Sequence, residues 1–66
     1  MDRMNPMTNA TVTYTDGVKE HFEALRINKK GIIIGRIING IFLDCGFISK
    51  TNVKEITYDG GSWKGK

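Results

Sequence analysis

An Asn39-Gly40 pair stands inside GIIIGRIINGIFLDCGF, residues 31 to 47. That dipeptide is the strongest short-range hairpin signal, because a type I′ turn needs positive φ at both central positions. It divides the stretch into two strands, Ile32 to Ile38 and Ile41 to Cys45. A two-residue loop fixes the register, with Ile38 opposite Ile41, Ile37 opposite Phe42, Arg36 opposite Leu43 and Gly35 opposite Asp44. One face then holds Ile32, Ile34, Arg36, Ile38, Ile41, Leu43 and Cys45. The other holds Ile33, Gly35, Ile37, Phe42 and Asp44. A strand with one wet face alternates apolar and polar residues. Here both faces are mostly apolar, so both are expected to be covered.

The chain has 66 residues, enough for one domain. A chain of this size buries only about 60% of its unfolded surface and commonly leans on disulfides, a metal or oligomerisation. Cys45 is the sole cysteine and His21 the sole histidine. A disulfide is therefore out, and no second soft ligand sits at metal-ligand spacing. Oligomerisation or a well-closed barrel is the support that remains. The opening MDRMNPMTN lacks an apolar signal region. The isoleucine-rich stretch is no membrane span, since a span needs about 20 apolar residues and this one carries Arg36, Asn39 and Asp44. The expectation is a soluble cytoplasmic protein with a reduced thiol and no membrane contact. The Asn9-Ala10-Thr11 sequon is then coincidental.

Along the chain, residues 1–8 read as a disordered arm, 9–58 as a single β domain and 59–66 as a flexible basic tail. Ala10 to Thr15 alternates, with Val12 and Tyr14 on one side and threonines on the other, which suits a strand. Asp16-Gly17 marks a hairpin turn. Strand two follows from Val18 to about Ile27. Its apolar parity changes from Phe22 and Ala24 to Leu25 and Ile27, which predicts a bulge or sharp bend near Ala24 to Arg26. A short helix over Glu20 to Arg26 competes with that strand. Asn28-Lys29-Lys30-Gly31 is a turn. Phe47 to Asn52 is a connector with room for one 3₁₀ turn, and Val53 to Tyr58 is the last strand. The fold class is all-β, a small and strongly bent antiparallel sheet of about five strands. By analogy, closure into a barrel of the Sm-like or Src-homology-3-like kind is one form open to such a sheet.

Catalytic chemistry does not assemble from these residues. The closing GGSWKGK mimics the glycine and lysine spacing of a phosphate-binding loop, yet lacks the following Ser or Thr and the helix. A Cys45–His21 nucleophile pair has no oxyanion hole, and Cys45 on an apolar face reads as a small buried hydrophobe. Asp44, opposite Gly35, is either an edge charge that discourages aggregation or a partner contact. Arg36, among isoleucines, is either a lid over the core or an interface anchor. Ten Lys or Arg stand against seven Asp or Glu, a net charge of +3. Arg26, Lys29, Lys30, Lys50 and Lys54, with Tyr58 and Trp63, are either a solvated rim or a surface for phosphates and bases.

Several stretches also resemble a group of short phage and prophage proteins. They are Val12-Thr13-Tyr14-Thr15-Asp16-Gly17, Phe22-Glu23-Ala24, Phe47-Ile48 and Asn52-Val53-Lys54-Glu55-Ile56. The shared pattern, Tyr-x-Asp-Gly, Phe-x-Ala, an isoleucine- or valine-rich hairpin and Phe-Ile…Asn-Val-Lys-x-Ile, spans residues 12 to 56. The resemblance implies a small β protein of a mobile element that is not an enzyme. Such a protein blocks a host component or sequesters a small signalling molecule. The group has no catalytic or ligand motif, so the resemblance transfers no site residue. The expected function is thus a non-catalytic homo-oligomeric binding protein, a counter-defence accessory that holds a host protein or a nucleotide without a cofactor or metal. Its oligomer interface is Ile33, Ile37, Ile38, Ile41 and Phe42, and its partner contacts are Lys29, Lys30, Arg36 and Asp44. The alternative is a small barrel that binds nucleic acid.

Overall fold

The computed structural model describes residues 6–65. They form one six-stranded antiparallel sheet in the order β4-β3-β2-β1-β5-β6. The strands are β1 Met7–Tyr14, β2 Lys19–Ile27, β3 Ile32–Ile38, β4 Ile41–Ile48, β5 Val53–Tyr58 and β6 Gly61–Lys64, with a 3₁₀ turn over Lys50–Asn52. The all-β class is as the sequence predicts. The sheet is not closed: β4 and β6 end the strand order on opposite sides and do not pair. Among the described residues no helix is long and apolar enough to cross a membrane.

Local chemistry sets each turn. Asn39 and Gly40 have φ of 52° and 79°, the two positive values that a type I′ turn demands. Every residue pair expected from it, Ile38 with Ile41 through Gly35 with Asp44, is present. The first hairpin is closed differently. Tyr14 N–H donates to the Val18 carbonyl (2.8 Å) and Gly17 N–H to the Tyr14 carbonyl (2.9 Å), which leaves residues 15–17 as a three-residue loop. Gly17 alone takes positive φ there, at 93°. Asn28 holds the β2–β3 turn through its side chain, whose Oδ1 accepts from Lys30 N–H (2.8 Å) and Gly31 N–H (3.0 Å).

The sheet is bent where the sequence changes parity. Ala24 and Leu25 are adjacent and both fully buried, which a regular strand with one covered face does not allow. Across from them in β1, Asn9 has a φ of 56° between the Thr8–Ala24 and Ala10–Phe22 pairs. Both paired strands therefore turn at one level. β2 is a strand throughout, and the competing helix over Glu20 to Arg26 does not form. Bulges add further curvature. Cys45 is an extra residue between the Asp44–Gly35 and Gly46–Ile34 pairs, and Lys54 between Val53–Tyr14 and Glu55–Thr13. Bulges locally strengthen twist and redirect side chains. The curved sheet encloses a single core of Ala10, Val12, Leu25, Ile32, Val53 and Ile56.

Three expectations need correction. The bulge removes Cys45 from the face of Ile32 and Ile34, so the thiol is exposed rather than buried. The arm assigned to residues 1–8 is partly strand, because β1 begins at Met7 and Met7 packs against the core; residues 1–5 lie outside the described residues. The tail assigned to 59–66 is largely a hairpin strand. Asp59-Gly60 is its two-residue turn, Tyr58 faces Gly61, and Trp63 faces Ile56 and packs at the core edge; Lys66 lies outside the described residues.

Two outcomes follow from this geometry. A Cβ at Gly35 would meet the Phe42 ring and lie 2.6 Å from the Leu43 carbonyl oxygen. Gly35→Ala is therefore expected to cost about 1–3 kcal/mol of stability by overpacking, read from urea unfolding. In the first hairpin the Tyr14 hydroxyl donates to Glu20 Oε1 at 2.8 Å. Partial burial, then that hydrogen bond and the charges of Glu20 and Asp16, push the Tyr14 phenol up to about 12 from 10.0. The folded state thus holds this proton more tightly than the unfolded chain. The associated stability is complete below pH 10 and is lost as pH rises through about 12. Ultraviolet titration of tyrosinate is expected to show one late-ionising phenol, and Glu20→Gln to bring its midpoint down.

Candidate binding surfaces

The four expected contact residues do not converge. Lys29 and Lys30 occupy the β2–β3 turn, whereas Arg36 lies near the far end of β3. Six residue steps separate Lys30 from Arg36, which is about 20 Å at the usual strand rise. Arg36 and Asp44 pair with neighbouring residues, Leu43 and Gly35, and so project to opposite faces. Arg36 is also engaged within the chain. Its Nε lies 3.5 Å from Glu23 Oε1, and Glu23 Oε2 accepts from Ile37 N–H at 3.4 Å. Both side chains are more than half exposed.

The expected interface also divides between two faces. Ile33, Ile37 and Phe42 are half-buried. On that side the Phe42 ring covers Gly35, and the Arg26 guanidinium sits 5.3 Å from the Phe42 ring centre as a cation–π cap. Its Gly35 end is thus covered by its own chain, while Phe47, cross-strand from Ile33 on the same face, is 58% exposed. Ile38 and Ile41 lie on the opposite face at the hairpin tip and are 47% and 61% exposed. Leu43, 44% exposed, belongs with them and was missing from the expected set. The register that puts Leu43 opposite Arg36 already assigned it to that face. The tip extends beyond the core, where Ile32 and Ile34 of the same face find their cover.

This surface adjoins an open edge. β4 is the outermost strand on its side among the described residues. It runs eight residues, IFLDCGFI, with Asp44 as its one charge and no proline or lysine. The opposite edge, β6, has four residues and includes Lys64. Natural sheets blunt exposed edges with charge, proline or shortness. β6 follows that rule, and β4 departs from it except at the Cys45 bulge.

The basic and aromatic residues separate as well. Arg26, Tyr58 and Trp63 line one groove of about 530 Å³ with Met7, Ile27 and Asp59. Lys50 and Lys64 line another of about 480 Å³, which shares Trp63 as a wall. Lys29, Lys30 and Lys54 line neither. The sequence places Trp63 among the stacking residues but on a loose tail, and what that expectation lacks is its strand. The signal was there: the turn dipeptide Asp-Gly of residues 16 and 17 recurs at 59 and 60. Within GGSWKGK, Gly61–Lys64 forms an edge strand rather than a loop ahead of a helix. His21 is exposed on β2, with Nδ1 3.4 Å from Thr11 Oγ1, while Cys45 sits on β4 with β3 between them.

No protein-family model, curated protein or solved structure matches this chain.

An exposed ion pair such as Arg36–Glu23 is worth about 0–1 kcal/mol. Arg36→Ala is expected to change stability by no more than that in chemical unfolding.

Proposed function

We propose that this chain is a non-catalytic binding protein that works as a closed homo-oligomer joined through β4. The observation that carries this reading is the combination of an eight-residue edge strand bearing one charge with the exposed Ile38, Ile41 and Leu43 beside it. An edge of this kind invites pairing with any other strand. A second copy, related by a two-fold axis, satisfies it with the same surface and leaves no further β4 edge open. Antiparallel pairing of β4 with its counterpart makes one continuous sheet whose outer edges are both the short, lysine-bearing β6. The small core of a 66-residue chain gives the same direction of pressure, since association buries apolar surface that one copy leaves wet.

Within this proposal the phage-like pattern favours a stoichiometric task, the blocking of a host component or the retention of a nucleotide signal. A binder of that type gains from oligomerisation, because linked sites convert a second contact into an intramolecular one. Arg36 and Asp44, on either face of the same hairpin, are the polar residues that would give such an interface its register.

Light scattering coupled to size exclusion tests the assembly. The wild-type chain is expected to run as a dimer or higher closed oligomer at micromolar concentration, and Leu43→Lys and Ile41→Lys to run as monomers with an unchanged circular dichroism spectrum. The exposed Cys45 offers a second readout: its reaction with a thiol reagent should slow as protein concentration rises. A wild-type monomer whose thiol reacts at a concentration-independent rate would overturn the proposal.

A further inference from the structure

The groove of about 530 Å³ beside Trp63 lies away from the β4 edge and has its own chemistry. Strand register fixes which side chains turn into it. Tyr58 pairs with Gly61 and Trp63 with the fully buried Ile56, so the two rings lie diagonally on the inner face of β5 and β6. Met7 pairs with Leu25 and Ile27 with Ile32, both fully buried, so these two also point to the inner face. Pro6, Met7, Ile27, Tyr58 and Trp63 are all half-buried, which leaves each with surface to offer a ligand. Arg26 borders the groove, but its guanidinium is spent on the Phe42 ring at the other face of the sheet. The one charged group left in the groove is Asp59. Its N–H donates to the Thr8 carbonyl at 3.1 Å, and its Oδ1 accepts from Asn9 Nδ2 at 3.4 Å. Among the described residues its carboxylate has no ion-pair partner.

We propose that this groove takes the lysine side chain of a partner polypeptide. Its methylenes would lie along Pro6, Met7 and Ile27, and its ammonium would meet the two rings and Asp59. Three properties select that occupant. A carboxylate beside an indole and a phenol is complementary to a cation, which the ring faces attract as well. Asp59 directly follows Tyr58, so charge and π-faces share one end while the other end is apolar. That polarity matches a stem with one charged tip, the form of lysine, rather than a diamine charged at both ends. Finally, Asn9 already occupies Oδ1, which leaves a single oxygen free. One oxygen suits a compact ammonium better than the two-pronged guanidinium of arginine.

This site does not depend on association through β4, and one set of titrations separates the two. Trp63 is the sole tryptophan of the chain, so its fluorescence reports on the groove directly. The peptide acetyl-Gly-Lys-Gly-amide is expected to change that fluorescence saturably at millimolar concentration and low salt. Its norleucine and arginine counterparts and butane-1,4-diamine should each bind several-fold more weakly. Asp59→Asn keeps both the turn dipeptide and the oxygen that Asn9 reaches, and should weaken the lysine peptide several-fold with no change in circular dichroism. Tyr58→Leu, which keeps apolar bulk and removes a π-face, should weaken it as well. The monomeric Leu43→Lys chain should bind as the wild type does. Arg3→Gln should too; a marked gain of affinity there would make the chain's own arginine the occupant and overturn the proposal. Equal or tighter binding of the norleucine peptide, the arginine peptide or the diamine would also overturn it. So would a fluorescence unmoved by the lysine peptide, or an affinity unmoved by Asp59→Asn.

Discussion

The structure depends on one sheet bending far enough to cover its own core. A flat six-stranded sheet of this length would leave an apolar face open, and among the described residues there is no helix layer to lie on it. The bend is made where β1 and β2 pair, with Asn9 at φ 56° opposite the turn of parity from Phe22 to Leu25. Past that point Leu25 points inward and joins Ala10 and Val12 from the first half of the sheet. β5 completes the enclosure with Val53 and Ile56, brought to the same side by the bulge at Lys54. The core is then satisfied with no strand-to-strand closure between β4 and β6.

The same geometry accounts for what stays uncovered. The bend gathers β1, β2, β5 and the first half of β3, but the β3–β4 hairpin is longer than the core it leans on. Ile32 and Ile34 find partners there, while Ile38, Ile41 and Leu43 on the same face run past it. Surplus apolar surface in a small chain is a place where a partner gains free energy by excluding water. The other end of the sheet solves its problem differently. β6 is short and places Trp63 over the core edge, so its apolar side chain is half-buried and its grooves are rimmed with charge.

Much of this was legible along the chain. The Asn39-Gly40 turn and the residue pairs of its hairpin follow from loop length alone, because two residues in a type I′ turn admit one register. The bend near Ala24 was visible as a parity change in apolar residues. Other elements were not legible, for identifiable reasons. A bulge inserts a residue without altering composition, so the exposure of Cys45 could not be read from its neighbours. Alternation is short in Gly61–Lys64, and the glycines and lysines in and around it have the composition of a loose terminus. Its pairing is decided by β5, which offers an open edge next to a turn dipeptide.

The candidate sites show the same division. Sequence by itself determined that the chain is all-β and that its central hairpin is apolar on both faces, since alternation and turn chemistry are local properties. It also identified Arg36 and Asp44 as the polar interruptions. The register of the hairpin already put those two on opposite faces, and the turn at Asn28–Gly31 already put Lys29 and Lys30 at the other end of the strand. Only the tertiary structure decided that Phe42 turns back over Gly35, which covers that part of one apolar face and leaves Phe47 on it exposed. Distances between strands far apart in sequence depend on how the sheet curves. That curvature is set by a few bulges and one positive φ, whose combined effect no local pattern encodes.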